Sequence, residues 1–142
     1  MKYDGLVTGK TSKLLDSLAA SVTPKRSKYN AKRVKADGYT FDSQAEYGRY
    51  RELRMAEVSG AISALTVHPR FLIREAFQSG WFVVPAEVYE GDFGYFDRHD
   101  MQAFAPIVED VKGYQTREFK RKWQLVQAKY PEIEFRIVES KQ

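Results

Sequence analysis

The segment Val108-Glu109-Asp110-Val111-Lys112-Gly113 carries the first residues whose types and spacing could do chemistry. Side chains alternate along a strand, so Asp110 and Lys112 share one face while Glu109 and Val111 take the other. A carboxylate and an ammonium two positions apart, at the end of an apolar strand, form an acid-x-Lys pair. Oxygen ligands of this kind suit Mg²⁺, and a nearby ammonium can orient water or offset charge developing on a phosphate. The same tripeptide is common, and it equally describes an ion pair on an edge strand.

Two further carboxylates sharpen the pattern. Asp92 lies 18 positions before Asp110, in Tyr89-Glu90-Gly91-Asp92-Phe93. Its apolar neighbours would make an unpaired buried charge costly. Gly91 beside it leaves room for close approach of a backbone or ligand. Glu46 follows Ser43 by three residues, a capping-box spacing in which Glu46 reaches back to the Ser43 amide. Glu52 and Glu57 on the same helix read as surface partners of Arg49, Arg51 and Arg54.

Other chemistries are poorly served. With no cysteine in the chain, disulfides, thiolate zinc sites and thiol nucleophiles are excluded. No glycine-rich phosphate loop, GxSxG or HExxH occurs. His68 and His99, the two histidines, stand 31 positions apart and read as structural or solvated rather than catalytic. Carboxylates and lysine are left to carry any reaction.

The elements that must position these groups can be read from punctuation and periodicity. Asp37-Gly38 between Val34–Ala36 and Tyr39–Phe41 is a type I′ hairpin signal. Ser43 opens a helix with Tyr47, Tyr50, Leu53, Arg54 and Val58 at helical spacing, ended by Gly60. Two extended runs, Leu65–Phe77 and Trp81–Phe96, are joined at Gln78-Ser79-Gly80, and Ala103–Lys112 is a further strand. Thr116 caps a last helix whose apolar stripe is Phe119, Trp123, Val126 and Tyr130, read as core. Pro131 stops it before an alternating strand through Ile133, Phe135 and Ile137. After the hairpin, the order is helix, three strands, helix, strand. An α/β class follows, with α+β character: a mixed sheet whose last two strands are linked by a right-handed helical crossover.

The chain has 142 residues, 43% hydrophobic and 14% aromatic, enough for one cored domain. Its net charge of +4 is unevenly spread. Of 23 Lys and Arg, nine lie in residues 1–35 against two of the 19 Asp and Glu, leaving 14 basic and 17 acidic residues beyond. Residues 1–27 read as a basic, flexible segment in which Leu14–Ala19 can form a short helix. Residues 28–142 read as the domain. A cationic arm (Lys25, Arg26, Lys28, Lys32, Arg33 and Lys35) suits a polyanion, since Lys and Arg release counterions from phosphates; a solubilising tail explains it equally. Arg117, Lys120 and Arg121 at the start of the last helix could add phosphate contacts or simply form a basic exposed face. No apolar run approaches a membrane span and no signal sequence is evident, so a soluble protein of a reducing compartment is expected.

An acid on a helix, Asp on a strand, acid-x-Lys on the next strand and then a basic helix resembles the PD-(D/E)xK nuclease superfamily. Five ordered blocks extend the likeness over roughly three quarters of the chain. They are Lys32-Arg33-Val34 with Asp37-Gly38-Tyr39; Phe41 to Glu46 with Arg49-Tyr50; Asp92-Phe93 with Tyr95; Val108 to Gly113; and Tyr130 to Ile133 with Phe135. In these blocks the chain is similar to a small phage and prophage family known as a domain of unknown function, itself similar to phage endonuclease I, a junction-resolving enzyme. The resemblance implies a restriction-endonuclease-like core. It implies that Asp92 and Asp110 bind Mg²⁺ or Mn²⁺, that Glu46 completes or supports that site, and that Lys112 assists the attacking water. It also implies a DNA substrate, branched or duplex, a dimer cutting two strands, and the host-cell cytoplasm as the place of action. Gly91 stands where the superfamily name has Pro, and Asp110 where many members have Glu. A slip of strand register would make Glu109 compete with Asp110 as a ligand. A nuclease-like fold that binds DNA without cutting, as a recombination accessory protein, is the alternative; an RNA-directed nuclease would share the chemistry.

Overall fold

The computed structural model describes residues 32–99 and 105–140. The expectations for residues 1–27, with Lys25 and Arg26, and that for Lys28 lie outside the described residues.

The Asp37-Gly38 turn has φ of 52° and 81°, the left-handed pair that a type I′ hairpin requires, and joins β1 (Val34–Ala36) to β2 (Tyr39–Phe41). Ser43 then caps α1 (Gln44–Val58), its side chain accepting from the Glu46 amide at 3.1 Å. The helix closes in a Schellman pattern, Ala61 N–H to Ala56 O and Gly60 N–H to Glu57 O, with Gly60 at φ 81°. Tyr47, Tyr50, Leu53 and Ala56 face the core, whereas Val58, expected on that stripe, is exposed.

The two long extended runs do not form two strands. They make one long bent hairpin of three successive antiparallel ladders. At its base β3 (Ile62–Val67) pairs with β8 (Phe93–Asp97), next β4 (Arg70–Arg74) pairs with β7 (Glu87–Glu90), and at the tip β5 (Phe77–Ser79) pairs with β6 (Phe82–Val84). The breaks fall at His68-Pro69 opposite Gly91-Asp92, and at Glu75-Ala76 opposite Pro85-Ala86. Pro69 and Pro85 supply no amide to a ladder, so the breaks lie where the prolines do.

Strands β3 and β8 continue into a four-stranded mixed sheet of order β10-β9-β8-β3. Here β9 (Ile107–Lys112) runs antiparallel to β8 and parallel to β10 (Glu134–Glu139). The connection from β9 to β10 passes through α2 (Arg117–Lys129), capped by Thr116 as expected and ended before Pro131. Helix α1 covers one face of the sheet, over Ile62, Phe93, Tyr95 and Ile107. Helix α2 and the β4–β7 ladder close over Val108 and Phe135 from the other. The fold is mixed α+β, as read from the sequence, with the core split into two apolar layers by the sheet. Among the described residues no helix is long and apolar enough to cross a membrane.

Candidate metal centre

Asp92 owes its place to the kink between β7 and β8. Its own amide donates to Glu109 O (2.9 Å), its carbonyl accepts from His68 N–H (2.9 Å), and Gly91 N–H donates to Pro69 O (2.9 Å). The backbone is thereby stitched to both neighbours at the point where the hairpin bends. Gly91 is required there: a Cβ on it would sit 2.7 Å from Val108 Cγ1 and 3.6 Å from the Pro69 ring. A proline at position 91, as in the superfamily name, would collide and would also lose the amide that Pro69 O uses. The close approach that Gly91 permits is to Val108 and Pro69.

One Asp92 oxygen is fixed by Val111 N–H at 2.6 Å. From α1, Glu46 enters the same region almost fully buried. It departs from the expected capping box by one residue: Glu46 Oε2 accepts from the Asp42 amide (2.8 Å), not from that of Ser43. Its other oxygen, Oε1, lies 2.8 Å from His68 Nε2. Glu46, His68 and Asp92 each offer a ligand atom, and these atoms all lie within 4.8 Å of one another.

The fold brings His68, which the sequence reads as structural or solvated, into the acidic cluster. Residue 68 sits at φ 54°, a left-handed conformation uncommon outside glycine, before a proline, which ordinarily keeps its predecessor extended. The signal was the His-Pro step inside a run of β-formers. Its meaning needed the partner kink 24 residues on.

Asp110 and Lys112 project from the α2 side of β9, as alternation requires. Asp110 is 1% exposed, and its Oδ2 accepts from the Tyr89 hydroxyl at 2.8 Å. Lys112 Nζ stands 2.9 Å from Asp110 Oδ1 and 5.1 Å from the centre of the Phe119 ring, so α2 helps to hold the ammonium. Among the described residues this ammonium is the partner that Oδ1 has. Asp110 is not one of the three groups whose ligand atoms converge, although it neighbours Asp92 closely enough to perturb it.

The electrostatics join the two halves. Burial, then the charge of Asp110, and further Glu46 push the Asp92 carboxyl up to about 7, against the opposing Val111 hydrogen bond and Lys112. Burial alone would lower Lys112, but Asp110, with Asp92 and Glu46 behind it, raises it above the usual lysine value. The ammonium therefore stays charged. Burial and the Asp110 carboxylate likewise push the Tyr89 phenol up, so it acts as a hydrogen-bond donor.

Glu109 does not compete for the site. It is 1% exposed on the opposite face and takes both ends of the Arg49 guanidinium, Nε at 2.8 Å and Nη2 at 2.7 Å, together with the Tyr95 hydroxyl at 2.5 Å. Arg49 is one turn after Glu46 on α1, and Glu109 is next to Asp110 on β9. This fork ties the helix that carries Glu46 to the strand that carries Asp110.

The cationic residues expected at a nucleic acid are placed unequally. Lys32, Arg33, Lys35, Arg117 and Lys120 are exposed, Arg33 paired loosely with Asp42 at 3.3 Å. Arg121 is bound to Glu87 within the molecule. Tyr114 is 78% exposed, while Phe119, Trp123, Val126 and Tyr130 form the expected core stripe.

A family model described as "Protein of unknown function (DUF1064)" matches residues 26–142. The chain belongs to the DUF1064 family. The match takes in every described element of this DUF1064 member, including all five residues of the cluster. No curated protein and no solved structure matches the chain significantly.

Proposed function

We propose that this DUF1064 protein is a divalent-metal-dependent endodeoxyribonuclease of the PD-(D/E)xK type, phage-encoded and acting on branched or recombination-intermediate DNA. The observation that carries the reading is the convergence of Glu46 and Asp92 beside Asp110 and its ion-paired Lys112, at the rim of one sheet. The four-stranded sheet supports it: with β4–β7 set aside as the outer part of the bent hairpin, the order helix, β3, β8, β9, helix, β10, with a parallel last pair, is compatible with the core that the resemblance implies.

The residues fit a hard cation. Three carboxylates lie near one ammonium, the buried Asp110 Oδ1 has that ammonium alone as its partner among the described residues, and Asp92 holds its proton unusually tightly because it is buried and negative charge is concentrated around it. A positive ion would relieve all three conditions. Asp92 and Asp110 would hold Mg²⁺ or Mn²⁺, with Glu46 a further ligand. Such an ion supplies Lewis acidity toward the scissile phosphate and a more acidic bound water. Lys112, kept cationic between Asp110 and the Phe119 ring, offsets negative charge gathering on the phosphate and can donate to a water oxygen. Tyr89 and Val111 N–H hold Asp110 and Asp92 in place. Lys32, Lys35, Arg117 and Lys120 would contact the DNA backbone without reading sequence.

A binding module that never cuts would explain the cations equally well. It gives no reason for holding three carboxylates together at a cost to stability, and strained, charge-crowded clusters mark sites of chemistry. The test is cleavage of supercoiled plasmid and four-way junction DNA, with matched RNA alongside, in Mg²⁺ or Mn²⁺. Asp92→Ala, Asp110→Ala and Lys112→Ala are each expected to lose at least about 100-fold in rate. Three variants that cleave like the parent would sink the assignment. A parent that binds DNA and cuts nothing at any metal concentration would leave the accessory role in its place.

A further inference from the structure

We infer that His68 is a nitrogen ligand of the metal centre, and that it sets the centre's preference toward first-row transition ions such as Mn²⁺ over Mg²⁺. The inference deepens the proposed function and rests on it only for the use made of the ion; the site itself is argued from geometry.

Three observations carry it. His68 Nε2 is one of the three converging ligand atoms, 2.8 Å from Glu46 Oε1 and within 4.8 Å of both its carboxylate partners. The imidazole is held there by backbone that has other calls on its geometry: φ of 54° at His68, an amide bound to Asp92 O, and Pro69 following. Non-glycine residues in that region are held at a cost of order 1–3 kcal/mol, and such residues cluster at functional sites. Beside the trio lies a third carboxylate, the buried Asp110, whose charge reaches Asp92 and whose Oδ1 is held by the Lys112 ammonium at 2.9 Å, so negative charge exceeds positive charge around the centre.

The chemistry that follows is selective. Mg²⁺ demands oxygen ligands and sheds water reluctantly, so an imidazole gives it little. Manganese and the later divalent ions accept imidazole and carboxylate together, with affinity rising along the series. Two carboxylates and one imidazole are a mixed set that an all-oxygen reading of the acid-x-Lys pattern would not anticipate. The competing role for His68 is to orient Glu46 through their hydrogen bond and never touch the ion. That role can be preserved while the ligand is removed. His68→Gln keeps a donor for Glu46, and His68→Asn suits the left-handed backbone, since asparagine tolerates positive φ better than most residues.

The experiment uses the full chain and Mn²⁺ alone, without DNA. Electron spin echo envelope modulation of bound Mn²⁺ is expected to show coupling to an imidazole nitrogen in the parent and none in His68→Gln. By titration, Mn²⁺ is expected to bind at least about 10-fold more tightly than Mg²⁺. His68→Gln and His68→Asn should lose about 10–100-fold in Mn²⁺ affinity with far less change for Mg²⁺, removing the preference. Circular dichroism on both variants checks that they fold. Bound Mn²⁺ without nitrogen coupling in the parent, Mn²⁺ and Mg²⁺ bound alike, or no bound metal would each overturn the inference. Mg²⁺-driven DNA cleavage with no Mn²⁺ preference would overturn it while leaving the nuclease reading intact. Selective Mn²⁺ binding with no cleavage would do the reverse.

Discussion

Asp92 is held in a state that favours its neutral form. Its value in the folded protein is about 7, above the ordinary 3.8, because it is buried beside Asp110 and Glu46. A carboxyl raised on folding contributes stability below the unfolded value and loses it as pH rises toward the folded one, so metal-free protein should weaken between about pH 4 and 7 through this group. Asp92→Asn removes the crowded charge. In EDTA at pH 8 the variant is expected to be the more stable, by on the order of 3 kcal/mol, with a flatter pH profile than the parent and no metal-dependent activity. Thermal denaturation across pH 5–8 measures both; a variant less stable than the parent at pH 8, with an unchanged slope, would contradict the electrostatic account. At this scale the placement of Asp110, Lys112 and Glu109 was legible, because strand alternation alone puts Asp110 and Lys112 on one face and Glu109, which binds Arg49, on the other. His68 was not: its nearness to Glu46 and Asp92, 22 and 24 positions away, is made by a kink and not by spacing.

Among the elements, the Arg49–Glu109 fork is the joint on which the site depends. Arg49→Ala leaves Glu109, 1% exposed, as a buried charge with the Tyr95 hydroxyl as its remaining partner. A loss of about 2–4 kcal/mol is expected, part of it restored by adding Glu109→Gln, which removes the orphaned charge. Urea denaturation of the single and double variants checks this, and an Arg49→Ala protein with parental stability would show that the fork does not join α1 to β9. The hairpin turn, both helix caps and the closing strand were legible because each is encoded by a few local residues: Asp37-Gly38, Ser43, Gly60, Thr116 and Pro131. The bent hairpin was misread as two unbroken strands. Its apolar runs are continuous in composition, and Pro69 at one break and Pro85 at the other divide them.

For the molecule as a whole, the proposed function and the uneven charge together predict that DNA affinity depends on salt. Log affinity should fall linearly with log salt, and each cation that neutralises a phosphate contributes about 0.9 to the slope. Lys32→Ala, Lys35→Ala and Lys120→Ala are each expected to reduce that slope by about 1, whereas Arg121→Ala, whose guanidinium is already bound to Glu87, should change it far less. Fluorescence anisotropy with a duplex at several ionic strengths makes the comparison, and equal effects at all four positions would show that the Glu87 pair is surrendered on binding. Family membership spans the whole described domain, so the bent hairpin and the acidic cluster belong to one unit of sequence. The central proposal rests on Glu46 from α1 and Asp92 from the β7–β8 kink converging with His68 beside Asp110 of β9. Crystals soaked in Mn²⁺ and measured at the manganese edge test that most directly. An anomalous peak among Glu46, His68 and Asp92, with Asp110 alongside, is expected; bound manganese elsewhere and none among these residues would contradict it.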